Sequence, residues 1–376
     1  MIVFTNSFTA GISTNMASSV TNQIDGHLRI QHKDFKRYFI ADQERILLNG
    51  WRDVAADIGK LPHVKAVMPR LLIGGLAGKD DRTSTFFGSA SELSLLDTVL
   101  PDYAIHLVDG KPLSPDDPDG VLLGESMARD LRVKVGDELV LLSKTVSGDQ
   151  SSTLVHVRGI TQYPSDHVAE QSLILTGLGT AVREQLLDLG DGTGQLVVRL
   201  DDPGKLPATI AAIDDMLAKR GLPWQVVPWY ENALYARMVA LFGGIGALVT
   251  AVLAVMVAVI TSNSLLMAFF ERIREIGTLR AVGMTRLNVG VLLYLESALL
   301  GCVGTGAGLL IGVVATLVLG RAGIPVGLLG QDVRPAVQPM ALAVSVLVPM
   351  ACIAMAAALP IRSATRMSVI EAINHQ

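Results

Sequence analysis

The sequence is poor in the residues that carry most enzymatic and metal chemistry. It has two cysteines in 376 residues, Cys302 and Cys352, and both lie inside long apolar runs. Neither a disulfide framework nor a thiolate metal site can therefore form in the polar part of the chain. The Gly-Lys pairs at 59–60, 78–79, 110–111 and 204–205 all continue with a residue other than Ser or Thr. The chain thus lacks a P-loop of its own for ATP. No HExxH, GxSxG or CxxC motif occurs. The seven histidines are scattered, and His27 and His32, five apart, point to opposite faces of one strand. They read as exposed strand histidines rather than metal ligands. Charged residues make up only 18% of the chain and the net charge is -4, which gives no reason to expect a nucleic-acid partner.

What is present is apolar, and it is concentrated at the C-terminal end. Residues 238–270 contain no charge, 287–320 contain only Glu296, and 335–361 contain none. A bilayer core about 30 Å thick is crossed by about 20 apolar helical residues, so each run is long enough to span. Buried helices of a large soluble protein are the alternative, but such helices usually keep a polar stripe and are shorter. Residues 1–21 are more dilute, with Thr5, Asn6, Ser7, Thr9, Ser13, Thr14 and Asn15 among the apolar ones. They have no basic n-region and fail as a signal peptide. They are expected to be the outer end of a truncated first membrane helix. A short amphipathic surface segment is the other reading.

Residues 25–235 read as a soluble, mixed α/β insertion. The alternation in 27–32 predicts a strand, the spacing of Ile46, Leu47, Val54 and Ile58 a helix over 42–60, and Pro62 its end. Strands are expected at 64–69, 83–88, 121–123, 138–142, 153–159, 172–176, 195–200 and 224–229. Helices are expected at 125–131 and 206–220, the latter stopped by Gly221. Arg272, Arg274, Arg280 and Arg286 follow the first apolar run, and Arg362 and Arg366 follow the third. Positive segments stay in the cytoplasm, which places 25–235 outside.

Between the first two runs, 271–284 reads ERIREIGTLRAVGM. Ile273, Ile276 and Leu279 recur three apart, with Arg272, Arg274, Glu275 and Arg280 around them, and Gly283 fits a helix stop. The segment is either an amphipathic helix that docks into a groove on a cytoplasmic protein or a loop that only anchors topology. In the second run, Gly304, Gly308 and Gly312 fall at spacing four, a face suited to close helix packing; glycine is also simply common in membrane helices. Glu296 is an intramembrane carboxylate, open to a structural hydrogen bond or a role on a substrate path.

Glu275, Ile276, Gly277, Arg280, Ala281, Gly283, Glu296, Gly304 and Gly308 together resemble the FtsX-like permease domain of ABC transporters. The ending LPIRSATRMSVIEAIN, with Pro360, Arg362, Ala364, Arg366, Glu371 and Ala372, resembles that family's close. The stretch DGKPL followed by GVLLGESMARDLRVKVGDELVLL is similar to the periplasmic core domain of MacB and LolC/LolE permeases. The resemblance implies an α-helical membrane domain, three full spans plus a truncated first helix, with an inserted mixed α/β extracytoplasmic domain. The divisions are then 1–24, 25–236 and 237–376.

It further implies that Glu271, Arg272, Ile273, Glu275, Ile276, Gly277, Leu279, Arg280 and Gly283 form a coupling helix for a separate cytoplasmic ATPase. ATP would be bound by that partner, and no cofactor is expected in this chain. A second permease, the same or a homologue, would complete the unit in the inner membrane. Membrane lipid, lipoprotein or a periplasmic adaptor are the remaining partners. Lipoprotein release or export of a hydrophobic substrate is the leading activity. A non-transporting mechanotransmitter that controls a cell-wall enzyme is the alternative.

Overall fold

The computed structural model describes residues 1–39, 42–104, 106–117, 119–162, 173–179, 181–322, 324, 333–335 and 337–366. It divides into two compact units, one formed by Met16–Arg237 and the other by Met1–Asn15 with the described residues from 238 onward.

The first unit is organised by a ten-stranded sheet. Its strands are β1 (Leu28–His32), β2 (Val64–Lys79), β3 (Arg82–Ser91), β4 (Leu107–Gly110), β5 (Gly120–Gly124), β6 (Glu138–Lys144), β7 (Gln150–Thr161), β8 (Leu173–Gly177), β9 (Gln195–Leu200) and β10 (Trp224–Pro228). Strand β2 serves two lobes. Its first half pairs with β9 from Val64 to Arg70, and its second half pairs with β3 from Arg70 to Lys79. Near its end it also pairs with β6, through Gly75 to Gly78. The pairings β2–β3, β3–β8, β8–β5, β5–β7, β7–β6 and β6–β2 close a ring.

Inside the ring, alternate residues Leu139, Leu141, Val155 and Val157 are buried with Ile73 and Leu123, as a one-sided strand pattern dictates. The other lobe, β10-β1-β9-β2, is covered by α3 (Trp51–Gly59) and α6 (Leu206–Lys219). Val54 and Ile58, four apart, and Ile213 and Leu217, likewise, form the inward helical stripes against Leu28, Ile30 and Val198. The central residues of β9, Leu196 to Val198, are all apolar because both faces of the strand are covered there. Leu196 and Val198 join that core, and Val197 joins a third cluster with Met68, Leu96 and Leu122.

One expectation changes. The helix expected over 42–60 is confined to Trp51–Gly59, because Gly50 takes φ 69° and Glu44–Ile46 makes only one 3-10 turn. Ile46 is buried from that turn and Leu47 is half-buried just after it, so their spacing with Val54 and Ile58 imitates one continuous helix without forming it. The helix expected at 125–131 forms as α5 (Glu125–Leu131), while helices α2 (Phe35–Tyr38) and α4 (Leu93–Val99) and strand β4 are short elements that the sequence pattern did not announce. Position 172 lies outside the described residues.

The second unit is helical. Helices α7 (Ala233–Glu271), α9 (Arg286–Ala322) and α10 (Pro339–Arg366) are linked in part by the short α8 (Ile273–Ala281). Each of the three long helices contains a stretch long and apolar enough to cross a membrane. The 39 residues of α7 run about 58 Å at about 1.5 Å each, well beyond a core about 30 Å thick. Large apolar side chains such as Leu248, Val255 and Val259 are exposed along it, which is a surface made for lipid rather than water. Helix α1 (Ile2–Ser19) begins in this unit. The C-terminal Glu371 and Ala372 lie outside the described residues.

Candidate functional site

Helix α8 starts one residue beyond the end of α7, and Arg272 occupies the joint. Gly283 takes φ 109°, where a side chain would be strained, and the Met284 amide closes the helix by donating to the Leu279 carbonyl. Two contacts hold the segment to α9. Ile276 packs against Val289, with Met284 and Leu293 beside them. The Arg272 guanidinium donates to the Glu296 carboxylate at 2.6 Å, so the intramembrane acid of the second span is paired with the joint before α8. Leaving either charge alone in a membrane environment would be costly.

Ile273, Ile276 and Leu279 do not share one fate, as far as they are described. Steps of three residues drift by about 60° around a helix of 3.6 residues per turn. Ile276 consequently turns inward while Leu279 stays exposed. The exposed stripe runs through Glu271, Glu275, Thr278, Leu279 and Val282, the last 90% exposed. Gly277 is buried, and the side chains of Ile273 and Arg280 lie outside the described residues.

The spaced glycines of α9 have different surroundings. A Cβ on Gly312 would lie 2.8 Å from the Val3 side chain of α1, whereas Gly304 and Gly308 have nothing within 4 Å. Those two instead line a cavity of about 510 Å³ together with Val257, Thr261, Leu300 and Ile353. Gly301, one helical turn before, is where α9 approaches α10, with a Cβ there meeting Ile353 at 3.0 Å.

In the outer unit, an apolar sheet face lies open. Leu76 opposes Leu142, Val140 opposes Leu154, and Phe87 opposes Gly74 across the ladders. Leu76, Phe87, Val140 and Leu154 are all exposed, although the opposite face of the same strands is core. Beside them, Phe39 meets Phe87 edge to face at 6.2 Å, and a groove of about 850 Å³ is bordered by Phe39, Leu76, Phe87 and Leu142 with Lys144.

A buried polar cluster lies where the chain passes from α1 into β1, and sequence reasoning did not find it. Arg70 donates to Asp25 at 2.8 Å, to Gln195 Oε1 at 2.7 Å and to the Ile24 carbonyl. Arg29 and Asn232 also donate to Asp25, the latter at 2.6 Å. Burial alone would raise the Asp25 carboxyl. The guanidiniums of Arg70 and Arg29 and the hydrogen bonds from Arg70 and Asn232 outweigh it and hold the group below its ordinary value. The available signal was Arg70 in the middle of β2, with apolar residues on both sides of it.

His27 also departs from expectation, because it is buried rather than exposed. Its Nδ1 accepts from the Leu200 amide at 2.9 Å. Burial and the nearby Arg199 push it down to about 4. Among the described residues no cluster of potential metal ligands occurs.

The fold and these sites define a membrane protein with three spans and a mixed α/β extracytoplasmic domain preceding them. The MacB-like periplasmic core domain family matches residues 1–216, and the FtsX-like permease C-terminal family matches residues 241–369. The chain therefore belongs to the MacB/FtsX-like permeases of ABC transporters. Membership implies an ATPase partner and a dimeric arrangement in general terms.

Among solved structures it is similar to the periplasmic region of MacB from Actinobacillus actinomycetemcomitans, at 13% identity and TM-score 0.39, covering 54% of this chain and 88% of that one. It is also similar to the extracellular domain of the noncanonic ABC-type transporter YknZ from Gram-positive bacteria. That similarity is at 11% identity and TM-score 0.37, covering 53% and 98%. No match is found among curated proteins.

Proposed function

We propose that the chain is the permease subunit of an inner-membrane ABC transporter whose ATPase is a separate chain docked on α8. Cargo is a lipoprotein or another hydrophobic substrate met outside the membrane. The observation that carries the reading is the form of α8. One side is fastened to the second span through Ile276 and the Arg272–Glu296 pair, and the other side presents Leu279 and Val282 to solvent. An apolar pair at the C-terminal end of a short helix and the turn that follows it, flanked by Glu275 and Thr278, is what a groove on a partner recognises. ATP and its hydrolysis belong to that partner. The open sheet face around Leu76 and Phe87 supports an apolar cargo over a polar one.

The test is affinity purification of the full chain from its native membrane, with mass spectrometry of what it retains, beside the variant Leu279→Glu. The reading expects an ATPase and a second permease with the wild type, and at least tenfold less ATPase with Leu279→Glu at equal permease yield. Absence of any ATPase from the wild type, or equal retention by the variant, would overturn it. Lipidated proteins in the wild-type sample would favour release, and a periplasmic adaptor would favour export.

A further inference from the structure

The outer unit receives the chain from α1 at 16–24 and returns it to α7 at 232–237. Both connections converge on one carboxylate. Asp25 is the first residue after the last turn of the incoming segment, and Asn232 is the residue before α7 begins. Asn232 Nδ2 donates to Asp25 Oδ2 at 2.6 Å, bridging 207 positions of sequence.

The same carboxylate is gripped by Arg70, and the position of Arg70 is singular. On β2 it is the residue that pairs with Gln195 of β9 on one side and with Ser91 of β3 on the other. It is therefore where the strand passes from one lobe to the other. Its guanidinium is buried, with a side-chain exposure of 5%, and binds the incoming backbone at Ile24, the Asp25 carboxylate and the Gln195 amide oxygen. Gln195 in turn donates to Gln31 of β1 at 3.1 Å. A second tie runs alongside. Arg199 of β9 donates to the Thr21 carbonyl and to Asn22 Oδ1, and Asn22 donates to Asp102 at 2.8 Å.

We infer that Asp25 and Arg70 form a force-bearing clamp. They hold the incoming and outgoing segments as one body and deliver their displacement to β2 at the junction of the two lobes. The inference rests on the transport reading above, since it concerns how a displacement started at the ATPase reaches the outer lobes. A buried ion pair is a poor choice for stability alone, because well-packed apolar residues of similar volume are often as good or better. A clamp has different needs. It requires directional bonds from several segments to one group, and a planar guanidinium with five donors meets that need where an ammonium does not. Asp25 and Arg70 are positioning residues in this account and touch no cargo.

The experiment uses the full chain in nanodiscs, purified with the ATPase it carries, with Cys302 and Cys352 replaced by serine. Spin labels go on the exposed positions Asp149→Cys, in the ring lobe, and Asp214→Cys, on α6. The distance between them is measured with and without ATP plus vanadate. In the wild-type background, nucleotide is expected to change the distance distribution. In Asn232→Ala, which removes the outgoing tie without stranding a charge, and in Arg70→Lys, that change should fall by at least half. ATP hydrolysis and the thermal midpoint by tryptophan fluorescence should be retained in Asn232→Ala, which decides the matter if Arg70→Lys does not fold. A full-sized change in Asn232→Ala would overturn the clamp, and so would a lowered midpoint with an undiminished change, since that marks a merely structural role. No change in the wild type despite ATP turnover would remove the transport reading and the clamp with it.

Discussion

Arg70, Asp25 and His27 each place an ionisable group inside the outer unit, and each was invisible to a reading based on spacing. Asp25 lies 45 positions from Arg70 and 207 from Asn232, so only the folded sheet brings them together. Removing one partner strands the other. Arg70→Met should destabilise the outer unit by about 3–5 kcal/mol, the usual consequence of leaving a buried charge unpaired, and Asp25→Asn in the same chain should restore part of the loss. Trp51, Trp224 and Trp229 all lie in this unit, so thermal melting followed by tryptophan fluorescence reports on it selectively.

His27 makes a separate prediction. An unfolded histidine takes its proton near 6.5, whereas the folded one resists until about 4. Within that window unfolding takes up a proton, so stability is complete above about pH 6.5 and is lost as the pH falls toward 4. Each unit of acidification costs at most about 1.4 kcal/mol, less what solvent screens. The tryptophan midpoint should fall across this window in the wild type and stay flatter in His27→Gln, in which the acceptor to the Leu200 amide is kept. Equal pH slopes for the two would contradict the assignment.

At the scale of the element, a short charged helix was one of two readings open for α8, beside a topology-anchoring loop, and the structure shows the helix with Gly283 just beyond it; amphipathic spacing and a stop glycine are local features. Which side faces inward was not legible. Ile276 is committed to Val289 by the path of α9, a tertiary contact that no window of α8 contains. The glycine run of α9 is similar. Its spacing announced a smooth face, but only the arrangement of helices puts Val3 against Gly312 and leaves Gly304 and Gly308 on a cavity. The three spans were plain from composition, while ring closure through β2 and β6 was not, since it depends on pairing strands about 65 residues apart. Two variants separate the faces of α8. Ile276→Asp should detach it from α9 and lower both ATPase retention and yield of folded permease. Val282→Asp, on the exposed side, should lower ATPase retention alone. Equal yields and equal retention for both would contradict the assignment of faces. For the Arg272–Glu296 pair, Arg272→Glu or Glu296→Arg alone should reduce the ATP hydrolysis of the copurified complex severalfold, and the charge-swapped double variant should recover a good part of it. No recovery in the double variant would argue against the pair.

For the whole molecule, the account is one of displacement rather than chemistry. In the proposed function a partner would move α8, the long helices would carry the movement, and the outer lobes with their open apolar face would respond. This ordering requires that α8 and the outer unit lie on opposite sides of the membrane. Cysteine placed at 149 should react with a membrane-impermeant maleimide added outside intact cells, and cysteine at 279 only after the membrane is opened; the reverse pattern would invert the topology. The central claim is tested most directly by hydrogen exchange on the full complex in nanodiscs, apo and with ATP plus vanadate. The account predicts that nucleotide bound on the cytoplasmic side alters amide protection in β1, β2 and β9 of the outer unit. An ATPase that turns over normally while protection in those strands stays the same would contradict it.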